Sequence, residues 1–142
     1  MNETKDKIDI DWTGSKMSQE QEDEQMNALA DQTMPFVPKG WGYEVWIHND
    51  EKYCGKLLYI AKGRSFSWHY HELKTETFFI ESGQVQVFVS PYDDLQYAHT
   101  YYLSDGMKFE IKPGIRHKVI ALQDTRMFEF STQHFDSDSI RI

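Results

Sequence analysis

Between Tyr43 and Phe130 the chain is cut into short apolar segments: YEVWI, KLLYIA, TFFIE, QVQVFV, HTYYL, KFEI, KVIAL and RMFEF. Each is four to six residues long, and Gly, Pro, Asn or Asp punctuate the gaps between them. No amphipathic helical run intervenes. Side chains on a strand alternate between two faces, so segments of this length bury one side each against a second layer. The pattern predicts an all-β fold, a double sheet or barrel. A chain of 142 residues holds one such core.

The first 35 residues differ. They carry nine acids against three lysines, most of the net charge of −8. Ser18 to Gln32 predicts one short helix, with Ser18 and Gln21 as a capping box and Met26, Leu29 and Ala30 as its apolar face. IDIDW, from Ile8 to Trp12, alternates as an edge strand would. Residues 1–35 are therefore expected to be an acidic arm, partly disordered or docking, with 36–142 as the folded domain. An acidic chain with a pI near 5.1 argues against nucleic-acid binding. No phosphate-cradling glycine loop is present, and no apolar stretch has the length of a signal peptide core or membrane span. One cysteine, Cys54, allows no intramolecular disulfide and fits a reducing, cytoplasmic setting, where it reads as a small buried hydrophobe.

Chemistry concentrates in GRSFSWHYHELKTETFFIESG, from Gly63 to Gly83, and in GMKFEIKPGIRH, ending at His117. His69 and His71 share a strand face and lie about 6.6 Å apart along the backbone. A turn over Glu72 to Thr75 brings Glu76 beside them, and His117 follows the Pro113-Gly114 turn. Three imidazoles and a carboxylate make an N/O donor set suited to Mn, Fe, Ni, Co or Zn and poor for calcium.

These residues carry a family resemblance. The sequence resembles the cupins, whose first motif reads Gly, five residues, His-x-His, three or four residues, Glu, six residues, Gly. Gly63, His69, His71, Glu76 and Gly83 fill all five positions. Gly106, Gly114 and His117 match the second motif, while Lys112 replaces its proline and Ala121 its terminal asparagine. The resemblance implies a double-stranded β-helix (jelly-roll) barrel over about 36–142, with His69, His71, Glu76 and His117 as metal ligands. The chain is also similar to the C-terminal cupin region of type II mannose-6-phosphate isomerases, through KGWGYEVW, YCGKLLYIAKG, SWHYH and the tail MFEFSTQHFDSDSIRI. Those isomerases commonly place Gln where this chain has His69.

That likeness implies a sugar or sugar-phosphate isomerase or epimerase using a metal Lewis acid, with a carbohydrate as small-molecule substrate. An iron-dependent dioxygenase-type cupin and a non-catalytic sugar-binding module remain open beside it. Isomerisation needs a base, and Glu129 is the candidate, since Met127, Glu129 and Ser131 share the strand face opposite Phe128 and Phe130. Lys56 and Arg116 are candidates to hold a phosphate or carboxylate, and His134 is a further position to inspect. Sheet edges and the arm suggest a homodimer.

Overall fold

A computed structural model describes residues 16–142, and the edge strand expected at Ile8–Trp12 lies outside the described residues. The chain divides into two compact units between Thr33 and Met34. In the first, Ser18 caps helix α1 (Gln19–Leu29). Ser18 Oγ accepts from the Gln21 N–H at 3.2 Å, and Gln21 Oε1 accepts from the Ser18 N–H at 2.9 Å. The helix stops at Leu29, short of Gln32, and buries no residue.

In the second unit the short apolar segments become antiparallel strands. They are β1 (Phe36–Lys39), β2 (Gly42–Asn49), β3 (Cys54–Ile60), β4 (His69–Tyr70), β5 (Glu76–Ser82) and β6 (Gln84–Ser90). The rest are β7 (His99–Ser104), β8 (Lys108–Ile111), β9 (Arg116–Ala121), β10 (Thr125–Ser131) and β11 (Ile140–Arg141). A six-stranded sheet runs β1-β2-β3-β10-β5-β8, and a five-stranded one runs β11-β4-β9-β6-β7. This is the all-β double-sheet fold that the segment pattern predicts, in the jelly-roll form that the cupin resemblance implies. Leu58, Ile60, Phe78, Ile80 and Met127 of the first sheet form one core with Val85, Val87, Leu103, Val119 and Ala121 of the second.

Two glycines fix the corners that matter. Gly83 joins β5 to β6 at φ +117°, and a Cβ there would collide with Thr125. Gly42, at the head of β2, lies so close to β3 that a side chain would overlap the Tyr59 carbonyl oxygen. Both positions demand glycine.

Toward one end of the six-stranded sheet the usual sidedness inverts. Trp46, Lys56, Glu129 and Phe78 are register partners across β2, β3, β10 and β5, and this row points into the barrel. Val45, Leu57, Phe128 and Phe79, the neighbouring row, point out. Lys56, Glu76 and Glu129 are 2%, 2% and 4% exposed. Charges buried that deeply persist only when paired or ligated, so this end of the barrel is where chemistry should lie.

Candidate metal centre

The four predicted ligands arrive from both sheets and converge. His69 on β4 is the register partner of His117 on β9, and His71 follows where β4 ends. One ring nitrogen from each of His69, His71 and His117 lies within 4.8 Å of the others. Glu76, the first residue of β5, enters from the opposite sheet. Its Oε2 stands 3.0 Å from His117 Nε2 and 3.2 Å from His71 Nε2.

Main-chain carbonyls orient the rings. His69 Nδ1 is 2.7 Å from the Ser67 oxygen, His71 Nδ1 is 2.9 Å from the Asp138 oxygen, and His117 Nδ1 is 3.0 Å from the Ile115 oxygen. A carbonyl only accepts, so each Nδ1 carries the proton and each Nε2 keeps its lone pair. These lone pairs therefore face one another and the Glu76 carboxylate. Both His117 Nε2 and Glu76 Oε2 are buried and lack a hydrogen-bond partner. One proton can bridge only one such pair, whereas a divalent cation satisfies all four donors. The residues thus fit a transition metal of the Mn, Fe, Ni, Co or Zn group, with positions left for exchangeable ligands.

Electrostatics point the same way. Burial opposes ionisation of Glu76, but the Lys74 ammonium beside it favours the charged form, and its carboxyl lies well below the usual range. Burial and the neighbouring His117 push the His69 imidazole down to about 3. Its folded value lies below its unfolded value of about 6.5, so between those pH values the unfolded chain binds the extra proton. The metal-free protein is therefore expected to lose stability as pH falls through 6 toward 3. Chemical denaturation at stepped pH checks this, and His69→Gln should flatten that slope.

The cage opens into a cavity of about 860 Å³. On its wall Lys74 Nζ donates to Glu129 Oε2 at 2.9 Å, lies 3.7 Å from Glu76 Oε1, and donates to His134 Nδ1 at 3.1 Å. Burial alone would lower the Lys74 ammonium, but Glu129 and Glu76 hold it above the ordinary lysine value. Ser131 Oγ donates to the same Glu129 oxygen at 3.0 Å. Lys56 Nζ sits 3.3 Å from Glu44 Oε1 and 4.5 Å from the Trp46 ring centroid. Glu129 and Lys56, both picked from sequence, line the cavity beside the four donors.

Arg116 is not among the residues that line the cavity. It neighbours His117 on β9, so alternation turns it away from the cage. Its guanidinium lies over Tyr70 at 3.9 Å, donates to Asp93 Oδ1 at 2.8 Å and to the Gly114 carbonyl at 2.8 Å. Sequence reading did not select Lys74, which lies in the turn before β5, where strand alternation gives no facing. It also missed Glu44, because β2 looks apolar on the face that turns outward.

Asp138 is the least visible contributor. Its carboxylate is buried and accepts from the N–H groups of Glu72 (2.8 Å), Leu73 (3.1 Å) and Lys74 (3.1 Å), clamping the turn between His71 and Glu76. Asp138→Ala leaves those donors without a partner and should cost about 3 kcal/mol. That is a drop of roughly 10 °C in melting temperature, with metal affinity falling about 10- to 100-fold. Calorimetry and metal titration measure both.

A family model for the cupin domain matches residues 56–131. No curated protein matches the chain by sequence. Among solved structures, the capsular polysaccharide assembling protein CapF from Staphylococcus aureus is similar at a TM-score of 0.67 and 18% identity. The match covers 78% of this chain and 34% of that one, so this chain spans about a third of the CapF length. KdgF from Halomonas sp. is similar at 0.58 and 16% identity over 67% of this chain and 81% of that one. A variant of oxalate decarboxylase from Bacillus subtilis is similar at 0.65 and 14% identity, over 77% and 30%. At such identities the likeness is one of fold. The domain match spans more than half of the chain, and with it this protein belongs to the cupin family.

Proposed function

We propose that this cupin is a metal-dependent isomerase or epimerase of sugars or sugar phosphates, as its likeness to type II mannose-6-phosphate isomerases implies. The observation that carries the proposal is the Glu129–Lys74 pair, a carboxylate and an ammonium held 2.9 Å apart in the same cavity as the four donors. When bound, a divalent ion supplies Lewis-acid polarisation of a substrate carbonyl, which acidifies the neighbouring C–H. Glu129 is the base for that proton. Its Oε2 is occupied by Lys74 and Ser131, and among the described residues nothing hydrogen-bonds its Oε1. Oε1 takes the proton from the carbon beside the carbonyl. In an epimerisation it returns the proton to that carbon; in an isomerisation it delivers it to the former carbonyl carbon, while the adjacent hydroxyl proton passes to the former carbonyl oxygen. Lys74 balances the charge of Glu129 before transfer and stays protonated throughout.

The rest of the wall suits a hydroxylated anion. Four basic side chains, Lys39, Lys56, Lys74 and Arg141, face four carboxylates, Glu44, Glu76, Glu129 and Asp136. A divalent metal added to that balance leaves the cavity positive, which favours a phosphorylated or carboxylated substrate. Trp41, Trp46 and Phe66 offer flat apolar surface to a sugar ring. The direct test follows deuterium uptake from D2O at the carbon next to the carbonyl. Metal-loaded protein would be incubated with mannose 6-phosphate and a panel of other hexose and pentose phosphates. Uptake is expected with at least one of them, and none across the panel with Mn, Fe, Ni, Co or Zn loaded would overturn the proposal.

A further inference from the structure

The Lys74 ammonium has a third partner besides the two carboxylates. It stands 2.9 Å from Glu129 Oε2, 3.7 Å from Glu76 Oε1 and 3.1 Å from His134 Nδ1. His134 lies in the segment after β10 with its side chain only 9% exposed, and its other ring nitrogen, Nε2, is 2.8 Å from Asp136 Oδ1. Both contacts require the same tautomer. An ammonium only donates, so Nδ1 must offer a lone pair; a carboxylate only accepts, so Nε2 must carry the proton. Burial and the charges of Lys56 and Lys74 push the imidazole below its ordinary range, which keeps the ring neutral near pH 7. The three cage histidines have the opposite arrangement, with the proton on Nδ1.

The ring is fixed independently of Lys74. The His134 N–H donates to Asn49 Oδ1 at 2.8 Å, and Asn49 Nδ2 donates to the His134 carbonyl at 3.1 Å, which ties this segment to the end of β2. Trp46 meets the ring edge-on at 5.2 Å. What the ring does for Lys74 follows from the two carboxylates. Glu129 and Glu76 compete for one ammonium, and Glu76 is also a donor of the cage. With those two acceptors alone the ammonium can turn from Glu129 toward Glu76. A third acceptor removes that freedom, because committing one N–H to His134 and one to Glu129 sets the direction of the last. Glu129 Oε2 then stays occupied and Oε1 stays available to a substrate proton.

We infer that His134 is a positioning residue for the base: its Nδ1 lone pair anchors the Lys74 ammonium on Glu129 Oε2, and Asp136 keeps that lone pair available. The inference rests on Glu129 acting as the base, but the anchor can be read without any substrate. Nitrogen-15 NMR on the zinc-loaded protein, which is diamagnetic, should show His134 protonated on Nε2 alone. Lys74 is 3% exposed, so its ammonium protons should exchange slowly enough with water to give a signal. That signal should persist in His134→Asn, whose Oδ1 takes the place of Nδ1, and vanish in His134→Phe, which keeps a ring against Trp46 but offers no acceptor. In deuterium exchange, His134→Phe should lower kcat about 10- to 100-fold, the scale of a small misplacement at the reacting group, with KM and metal content unchanged. His134→Asn should stay within about threefold of the parent. A proton on His134 Nδ1 in the parent overturns the inference, and that measurement needs no variant to fold. So does an equal loss in both variants, which would assign the ring to packing alone. A parent that exchanges no sugar phosphate would sink the proposed reaction instead, and the tautomer and the Lys74 signal would still decide whether the anchor exists.

Discussion

His117→Ala should strip the protein of its metal. The parent is expected to hold about one transition-metal ion per chain after loading and desalting, and the variant less than a tenth of that. The size of the effect follows from position. His117 is 1% exposed, its Nε2 has no hydrogen-bond partner, and it sits between His69 on the neighbouring strand and Glu76 on the facing sheet. Losing an outer contact of a ligand typically costs 10- to 100-fold in affinity, and losing the ligand itself costs more. The consequence extends to stability. Metal at 1,000 times its dissociation constant should stabilise the parent by about 4 kcal/mol, and that gain should vanish in the variant. Elemental analysis and thermal melts with and without chelator read both. Equal metal in parent and variant would show that the four donors are not the cage.

Glu129→Gln carries the second large effect, on rate rather than on metal. Glutamine keeps the shape of the side chain and a hydrogen-bond acceptor for Lys74, but it cannot take a proton. Deuterium exchange on the substrate found with the parent should fall about 100- to 10,000-fold, the range that general base catalysis supplies. Metal content should not change, because Glu129 contacts Lys74 and Ser131 and none of the four donors. Lys74 would keep only Glu76 as a carboxylate partner, so a stability loss of up to about 3 kcal/mol is expected alongside. Exchange undiminished in a folded, metal-loaded Glu129→Gln would assign the proton to another group, and His134 on the same wall would be next to test.

The sequence made visible what local spacing can encode. Eight of the eleven strands follow from the apolar segments, and the nearness of His69, His71 and Glu76 follows from the short turn that joins them, although that turn passes from one sheet to the other. His117 came through because a turn motif precedes it. Glu129 was found by strand alternation, since a lone acid flanked by Phe128 and Phe130 shares its face with Met127. Contacts between residues far apart in the chain were not visible. Asp138 meets the turn after His71 across 64 to 66 residues, and His134 meets Lys74 across 60. Arg116, next to His117 in sequence, packs instead on Tyr70 and Asp93, because neighbouring strand residues face opposite sides. The inverted face was hidden for a physical reason. Alternation tells which residues travel together but not which side meets the core, and on β2 and β10 the apolar side is the outer one.

The three histidines are steered by the oxygens of Ser67, Ile115 and Asp138, and all three oxygens belong to the main chain. No substitution can delete a carbonyl, so the tautomer of each imidazole is written into the course of the backbone rather than into any neighbouring side chain. Variation on the cavity wall can then proceed without disturbing which nitrogen faces the ion. A barrel of this design can exchange Lys56, Glu44 or Trp46 for other residues and meet a new substrate with the same cage.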